Sequence, residues 1–191
     1  MIMKKKVFII HGWGFNSTSY WIPKIKEELE KLQYDVITID MPDTETPIID
    51  NWVKVLEKVT KNKSNKNTYF IAHSIGCQSI LRLIEKSQSK EKIGGILFVA
   101  GWITLKGLTK EEKSIAEPWI NTPVNFKKVN RLISRLVCIF STDDPYVSRK
   151  NIEFFDKKLN ANIIKINKRG HIDKKNDYKI ILDIFNKFFK K

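Results

Sequence analysis

The sequence predicts an α/β fold: a mostly parallel six-stranded sheet with helices on both faces. Short apolar runs rich in β-branched residues alternate with longer amphipathic stretches, the pattern of successive βαβ units. The alternation continues along the chain with no internal repeat and no break in composition. A length of 191 residues suits one domain, which at that size buries ~70% of the surface its unfolded chain would expose. One domain over residues 1–191 is therefore expected.

The chain opens with MIMKKKVFII. Its apolar part is too short for a secretory signal, and no small-residue cleavage site follows, so VFIIH from Val7 is read as the first strand. In SYWIPKIKEELEKL, Trp21, Ile25, Leu29 and Leu32 fall on one stripe and predict the first helix. DVITID from Asp35 is the second strand, and a helix from Ile48 to Lys61 turns Ile49, Trp52, Val53, Leu56 and Val59 inward. KNKSNKN from Lys61 is a helix end and surface loop. TYFIAH from Thr68 is the third strand, followed at once by a helix ending near Ser87, and GGILFVAG from Gly94 is the fourth strand. Between Gly101 and Arg135 no clear period survives, and Pro118 and Pro123 suggest short helices over one end of the sheet. RLVCIFS from Arg135 and NIIKIN from Asn162 are the last strands. Helices from after Val147 to Leu159 and from Asp177 to Phe189 complete the set.

Composition excludes several classes. Two cysteines, Cys77 and Cys138, are too few for a disulfide framework and lack C-x-x-C spacing, so reduced buried thiols in a cytoplasmic protein are expected. They also supply no metal cluster. No apolar run reaches the ~18 residues that span a bilayer, so a soluble protein without membrane insertion is expected. The formal net charge is +14. Its lysines are scattered through every segment among many Asn and Ile residues, as in a chain with A/T-rich codon usage. A nucleic-acid partner, for which KNKSNKN and the tail KFFKK would be the carriers, is not expected.

The sharpest chemical signal is Ala72-His73-Ser74-Ile75-Gly76, placed after a strand and before a helix. In that context a small-x-Ser-x-Gly turn projects the serine hydroxyl and aims the next backbone N–H at an oxyanion. The alternative, a serine merely capping a helix, needs no histidine base. A serine hydroxyl requires a base within reach, and there are three histidines. His11 precedes a tight turn, where a structural role is expected, and the strand directs the side chain of His73 away from Ser74. His171, in KRGHIDKKN after the last strand, remains as the general base. An orienting carboxylate belongs after the preceding strand, where STDDPYVS offers Asp143 and Asp144. Consecutive side chains diverge, so only one can serve. His11-Gly12-Trp13-Gly14 supplies a glycine-rich turn whose Trp13 N–H can pair with that of Ile75 as an oxyanion hole. It lacks the Lys-Ser/Thr of a phosphate-binding P-loop and the spacing of a dinucleotide fingerprint.

The order Ser, Asp, His is that of α/β-hydrolases. Together HGWGFNSTSYWIPKIKEEL, MPDTETPIIDNWVKVL, IAHSIGCQSI, GGILFVAGW, STDDPYVS and GHID resemble the small serine hydrolases grouped around YdeN and the retinoblastoma-binding hydrolase, over nearly the whole chain. The resemblance implies a three-layer α/β-hydrolase fold with strand order 2-1-3-4-5-6 and no large cap. It also implies hydrolysis of small carboxylic esters or related peptide or thioester bonds, and a triad of Ser74, Asp144 and His171. Its spacing selects Asp144, leaving Asp143 as a turn or helix-capping group. The chain departs from the family pattern at Ala72 in place of the usual glycine, at Ser148 where proline is common, and at Asp173 where asparagine often follows the histidine.

No metal and no organic cofactor is expected, because serine supplies the nucleophile and water resolves the ester. Phe15, Trp102, Trp119 and Tyr146, with Trp13, lie on loops expected at the carboxyl ends of the strands and are the candidate substrate-contacting walls. The competing class is a catalytically weak family member acting through a protein partner. A complete triad argues against it.

Overall fold

The structure, a computed structural model, describes residues 4–61 and 63–190. Residues 1–3 of the opening stretch, Asn62 of KNKSNKN and Lys191 of the KFFKK tail lie outside the described residues. In chain order the elements are β1 Lys6–Ile10, α1 Ile22–Lys31, β2 Asp35–Ile39, α2 Ile49–Thr60, β3 Thr68–His73, α3 Ile75–Lys86 and β4 Gly95–Val99. There follow α4 Lys110–Asn121, α5 Phe126–Leu132, β5 Leu136–Ser141, α6 Arg149–Leu159, β6 Asn162–Ile166, a 3₁₀ turn at Lys175–Asp177, and α7 Tyr178–Phe189.

Six strands form one sheet in the order β2-β1-β3-β4-β5-β6, and every adjacent pair is parallel. Phe8 lies beside Ile37 and Phe70, Ala72 beside Phe98, and Phe98 beside Cys138. Every residue of β3, β4 and β5 is buried, whereas the edge strand β6 is partly exposed. Helices covering both faces leave central strands no solvent side, which is why their sequences are apolar throughout. Contacts pair α1 with α7, and α2 with α3, α3 with α5 and α5 with α6. With right-handed crossovers these become the two outer layers.

The helical stripes fall close to expectation. Trp21, Ile25 and Leu29 are buried under α1, and Leu32 is half-buried at its end. In α2 the inward residues are Trp52, Val53 and Leu56, with Ile49 and Val59 half-buried. The region between Gly101 and Arg135 differs from the expected short helices, because α4 runs for 12 residues with Pro118 inside it. A reciprocal cap starts it: the Thr109 hydroxyl accepts from the Glu112 N–H while the Glu112 carboxylate accepts from the Thr109 N–H. Such a cap contributes roughly 0.5–2 kcal/mol. No described helix is long and apolar enough to cross a membrane.

The chain reverses direction across the sheet between β1 and β3. Ligands bind at such a switch point, outside the carboxyl ends of the strands. The loops after β1, β3, β4, β5 and β6 all open onto that edge.

Candidate active site

Ser74 occupies the turn between β3 and α3 with φ of +51° and ψ of −118°. A serine avoids this left-handed region unless its surroundings impose it. Here the Ser74 N–H donates to the Val99 carbonyl at 2.9 Å, pinning the turn to β4. Gly76 completes the constraint: a Cβ there would lie 2.6 Å from the His11 carbonyl oxygen, so only glycine lets α3 approach β1 this closely. Ala72, within β3, is fully buried.

The Ser74 Oγ lies 3.0 Å from His171 Nε2, and His171 Nδ1 lies 2.9 Å from Asp144 Oδ2. A carboxylate only accepts, so Nδ1 carries the imidazole proton and Nε2 is free to accept from the serine hydroxyl. Asp144 is 4% exposed, and its Oδ1 accepts from the N–H groups of Tyr146 at 2.8 Å and Val147 at 2.9 Å. Those two bonds hold the carboxylate against the imidazole. Asp143 turns elsewhere: its Oδ1 accepts from the Ser141 hydroxyl at 2.7 Å and the Gly170 N–H at 2.9 Å. The same contacts, the Ser141 hydroxyl first, hold its carboxyl below the ordinary range. Asp143 thus ties the loop after β5 to the loop carrying His171 and caps no helix.

The other two histidines are consumed structurally. His11 Nε2 accepts from the Met41 N–H at 2.9 Å, and its Nδ1–H donates to the Gly12 carbonyl at 2.8 Å. His73 does point away from Ser74, yet it sits beneath His171. Its Nε2–H donates to the His171 carbonyl at 2.9 Å, and the two rings meet edge to face at 4.9 Å. Burial above all, with the nearby His171, pushes the His73 pKa down to about 3. Its role was not anticipated from the sequence, although its position beside Ser74 was visible there.

Among the described residues, no acceptor is paired with the N–H of Trp13 or with that of Ile75, the first residue of α3. The first N–H groups of a helix lack intrahelical partners and carry the positive end of its dipole. A Cβ on Gly12 would meet His73 Nδ1 at 2.6 Å, so the turn bearing Trp13 lies directly on the histidine beneath it.

Ser74 and His171 open into a cavity of about 540 Å³. Trp13, Phe15 and Tyr146 line it, joined by Tyr20, Leu105 and Ile115. Trp102 and Trp119 do not. Each is 1% exposed. Trp119 donates Nε1–H to the Pro47 carbonyl and packs on Trp52, and Trp102 directs Nε1–H toward Ser74 Oγ. The expectation that both are cavity walls is thereby corrected. Four carboxylate side chains, Glu45, Glu111, Glu112 and Asp173, also line the cavity, and no described Lys or Arg does. A larger groove of about 720 Å³, between the ends of α2 and α3, contains no histidine. Among the described residues no three His, Cys, Asp or Glu side chains are grouped to hold a metal ion. Cys77 and Cys138 are free and buried.

Comparison with known proteins bears on this geometry. The family model described as serine hydrolase matches residues 7–188. YdeN of Bacillus subtilis (strain 168) is 27% identical over 194 residues, covering 99% of this chain and 98% of that protein. The serine hydrolase RBBP9 of Rattus norvegicus is 23% identical over 172 residues, covering 90% of this chain and 88% of that one. The crystal structure of the B. subtilis ydeN product superposes with a TM-score of 0.88 at 25% identity, covering 98% of this chain and all of the other. The chain belongs to the serine hydrolase family.

Proposed function

We propose that the protein cleaves small carboxylic esters through an acyl-enzyme on Ser74, with His171 as general base and acid and Asp144 as the residue that orients it. The observation that carries this reading is the continuous hydrogen-bond chain from Ser74 Oγ through His171 to Asp144, opening into a cavity of mixed aromatic, aliphatic and acidic lining. As Oγ attacks the ester carbonyl, its proton passes to His171 Nε2, and Asp144 stabilises the imidazolium. The N–H groups of Trp13 and Ile75 receive the oxyanion, each such donor being worth roughly 2.7–4 kcal/mol in the transition state. The imidazolium then protonates the departing alcohol. Water, deprotonated by the same imidazole, attacks the acyl-enzyme and releases the acid and the free serine.

The continuous sheet supports reading residues 4–190 as one hydrolase domain, and the free thiols fit a cytoplasmic setting. Initial rates on p-nitrophenyl esters of graded acyl length test the reading. Ser74→Ala is expected to abolish turnover with little change in thermal midpoint, and retention of more than about a tenth of wild-type turnover contradicts it. The acidic lining predicts that a neutral butyrate ester outpaces a hemisuccinate ester, most clearly at low salt. Equal rates would mean that these carboxylates do not face the bound acyl group.

A further inference from the structure

All five tryptophans donate their indole N–H groups. Four of them donate to backbone carbonyls, of Glu45, Ile172, Pro42 and Pro47. The fifth, Trp102, on the loop after β4, places Nε1 3.3 Å from Ser74 Oγ. That spacing is at the long end of hydrogen bonding, and both groups are buried, with Trp102 at 1% and Ser74 at 8% exposure.

Trp102 is fixed by its own supports. Gln78, one turn into α3 from Ser74, donates Nε2–H to the Trp102 carbonyl at 2.6 Å. The Gln78 Oε1 in turn accepts from the buried guanidinium of Arg82. On the other side Asn151 of α6, itself 1% exposed, accepts with Oδ1 from the N–H groups of Ile103 at 2.7 Å and Thr104 at 3.0 Å. Buried side-chain amides therefore grip the backbone at Trp102 and at the two residues after it. An indole held this way has little freedom to turn out into the cavity.

We propose that Trp102 is a further catalytic residue, whose indole N–H donates to the nucleophilic oxygen of Ser74. This rests on Ser74 being the nucleophile, as proposed above. An indole nitrogen is a donor only, so its bond to Oγ leaves the serine hydroxyl to donate to His171 Nε2. The direction of the whole chain is then fixed, from Trp102 through Ser74 to His171 and Asp144. One lone pair of Oγ accepts from the indole, and the other is free to attack. Negative charge develops on Oγ twice: when His171 removes its proton in acylation, and when the bond from the acyl carbon to Oγ breaks in deacylation. A donor already aimed at that atom stabilises both moments without reorganisation.

Trp102→Phe removes the N–H and keeps an aromatic ring in the core. With p-nitrophenyl butyrate, kcat is expected to fall roughly three- to tenfold with KM within about twofold, the size of one neutral hydrogen bond. A raised KM with unchanged kcat would make Trp102 a cavity wall and overturn the proposal, as would unchanged kcat in the folded variant. The proposal also stands or falls on a measurement that does not need that variant to fold. In the ¹H–¹⁵N spectrum of Ser74→Ala, one indole N–H resonance is expected to move far more than the other four, whose acceptors are backbone carbonyls that the substitution does not remove. A spectrum in which no indole signal is singled out overturns it. If Ser74→Ala keeps ester turnover, the nucleophile assignment fails. If Ser74→Ala is inactive and folded Trp102→Phe is as fast as wild type, the role of Trp102 alone fails.

Discussion

His73 is a buried base that must stay neutral, and its environment turns that into a dependence of stability on pH. Its ring is 1% exposed, stacked on Phe15 and edge-on to His171, and the charged or titratable groups felt there are His171, Asp144 and His11. The folded pKa of about 3 lies below the ordinary value of 6.5, so between those values the unfolded chain binds the extra proton. Stability from this group is therefore complete above pH 6.5 and lost progressively as pH falls toward 3. At pH 5 the loss amounts to about 2 kcal/mol. Denaturant titrations at pH 7 and pH 5 are expected to show the stability gap between wild type and His73→Asn narrowing by about that amount, since Asn cannot titrate. Parallel pH curves would contradict it. Strand-turn-helix context and the shortage of histidines singled out Ser74 and His171 in the sequence, and the structure brings their side chains to 3.0 Å of each other. The supporting role of His73 was not legible. A strand tells which way a side chain leaves the backbone and says nothing of what a loop 98 positions further on lays over it.

The loop between β5 and α6 shows how one element divides two adjacent carboxylates between two duties. Asp144 faces His171, and Asp143 binds Ser141 and Gly170. Asp144→Asn is expected to lower kcat by on the order of 10⁴, because an amide opposite Nδ1 favours the wrong imidazole tautomer. Asp143→Asn should cost far less. Steady-state kinetics on both variants check this, and the reverse ranking would move the orienting role to Asp143. Residue chemistry alone left the two acids open; the resemblance to known hydrolases selected Asp144, whose side chain is the one beside His171. Helix α4 was the least legible element. Its proline obscured the period, although Thr109 and Glu112 already carried the spacing of a reciprocal cap. The tryptophans misled for a related reason. Trp102 and Trp119 lie in the irregular region and were expected at the cavity wall, and only the packing shows that both are buried, Trp119 bonded to the Pro47 carbonyl and Trp102 approaching Ser74 Oγ from beneath the cavity surface.

At the scale of the whole molecule, strand order does most to create the site. Because β1 and β3 are neighbours whose connections leave in opposite directions, the loops after β1 and β3 open side by side, and those after β4, β5 and β6 complete the rim. The run pattern alone predicted six strands, while their order came from family resemblance, since periodicity carries no information on which strands become neighbours. The charge pattern was not legible either. A chain of net charge +14 surrounds a cavity lined by four carboxylates, an arrangement that depends on which loops converge. Mass analysis of the folded protein after incubation with a fluorophosphonate tests the nucleophile most directly. One adduct is expected, on the peptide that contains Ser74, absent from Ser74→Ala and strongly slowed in His171→Ala; an unmodified wild-type protein, or an adduct mapping to any other residue, would contradict catalysis through Ser74.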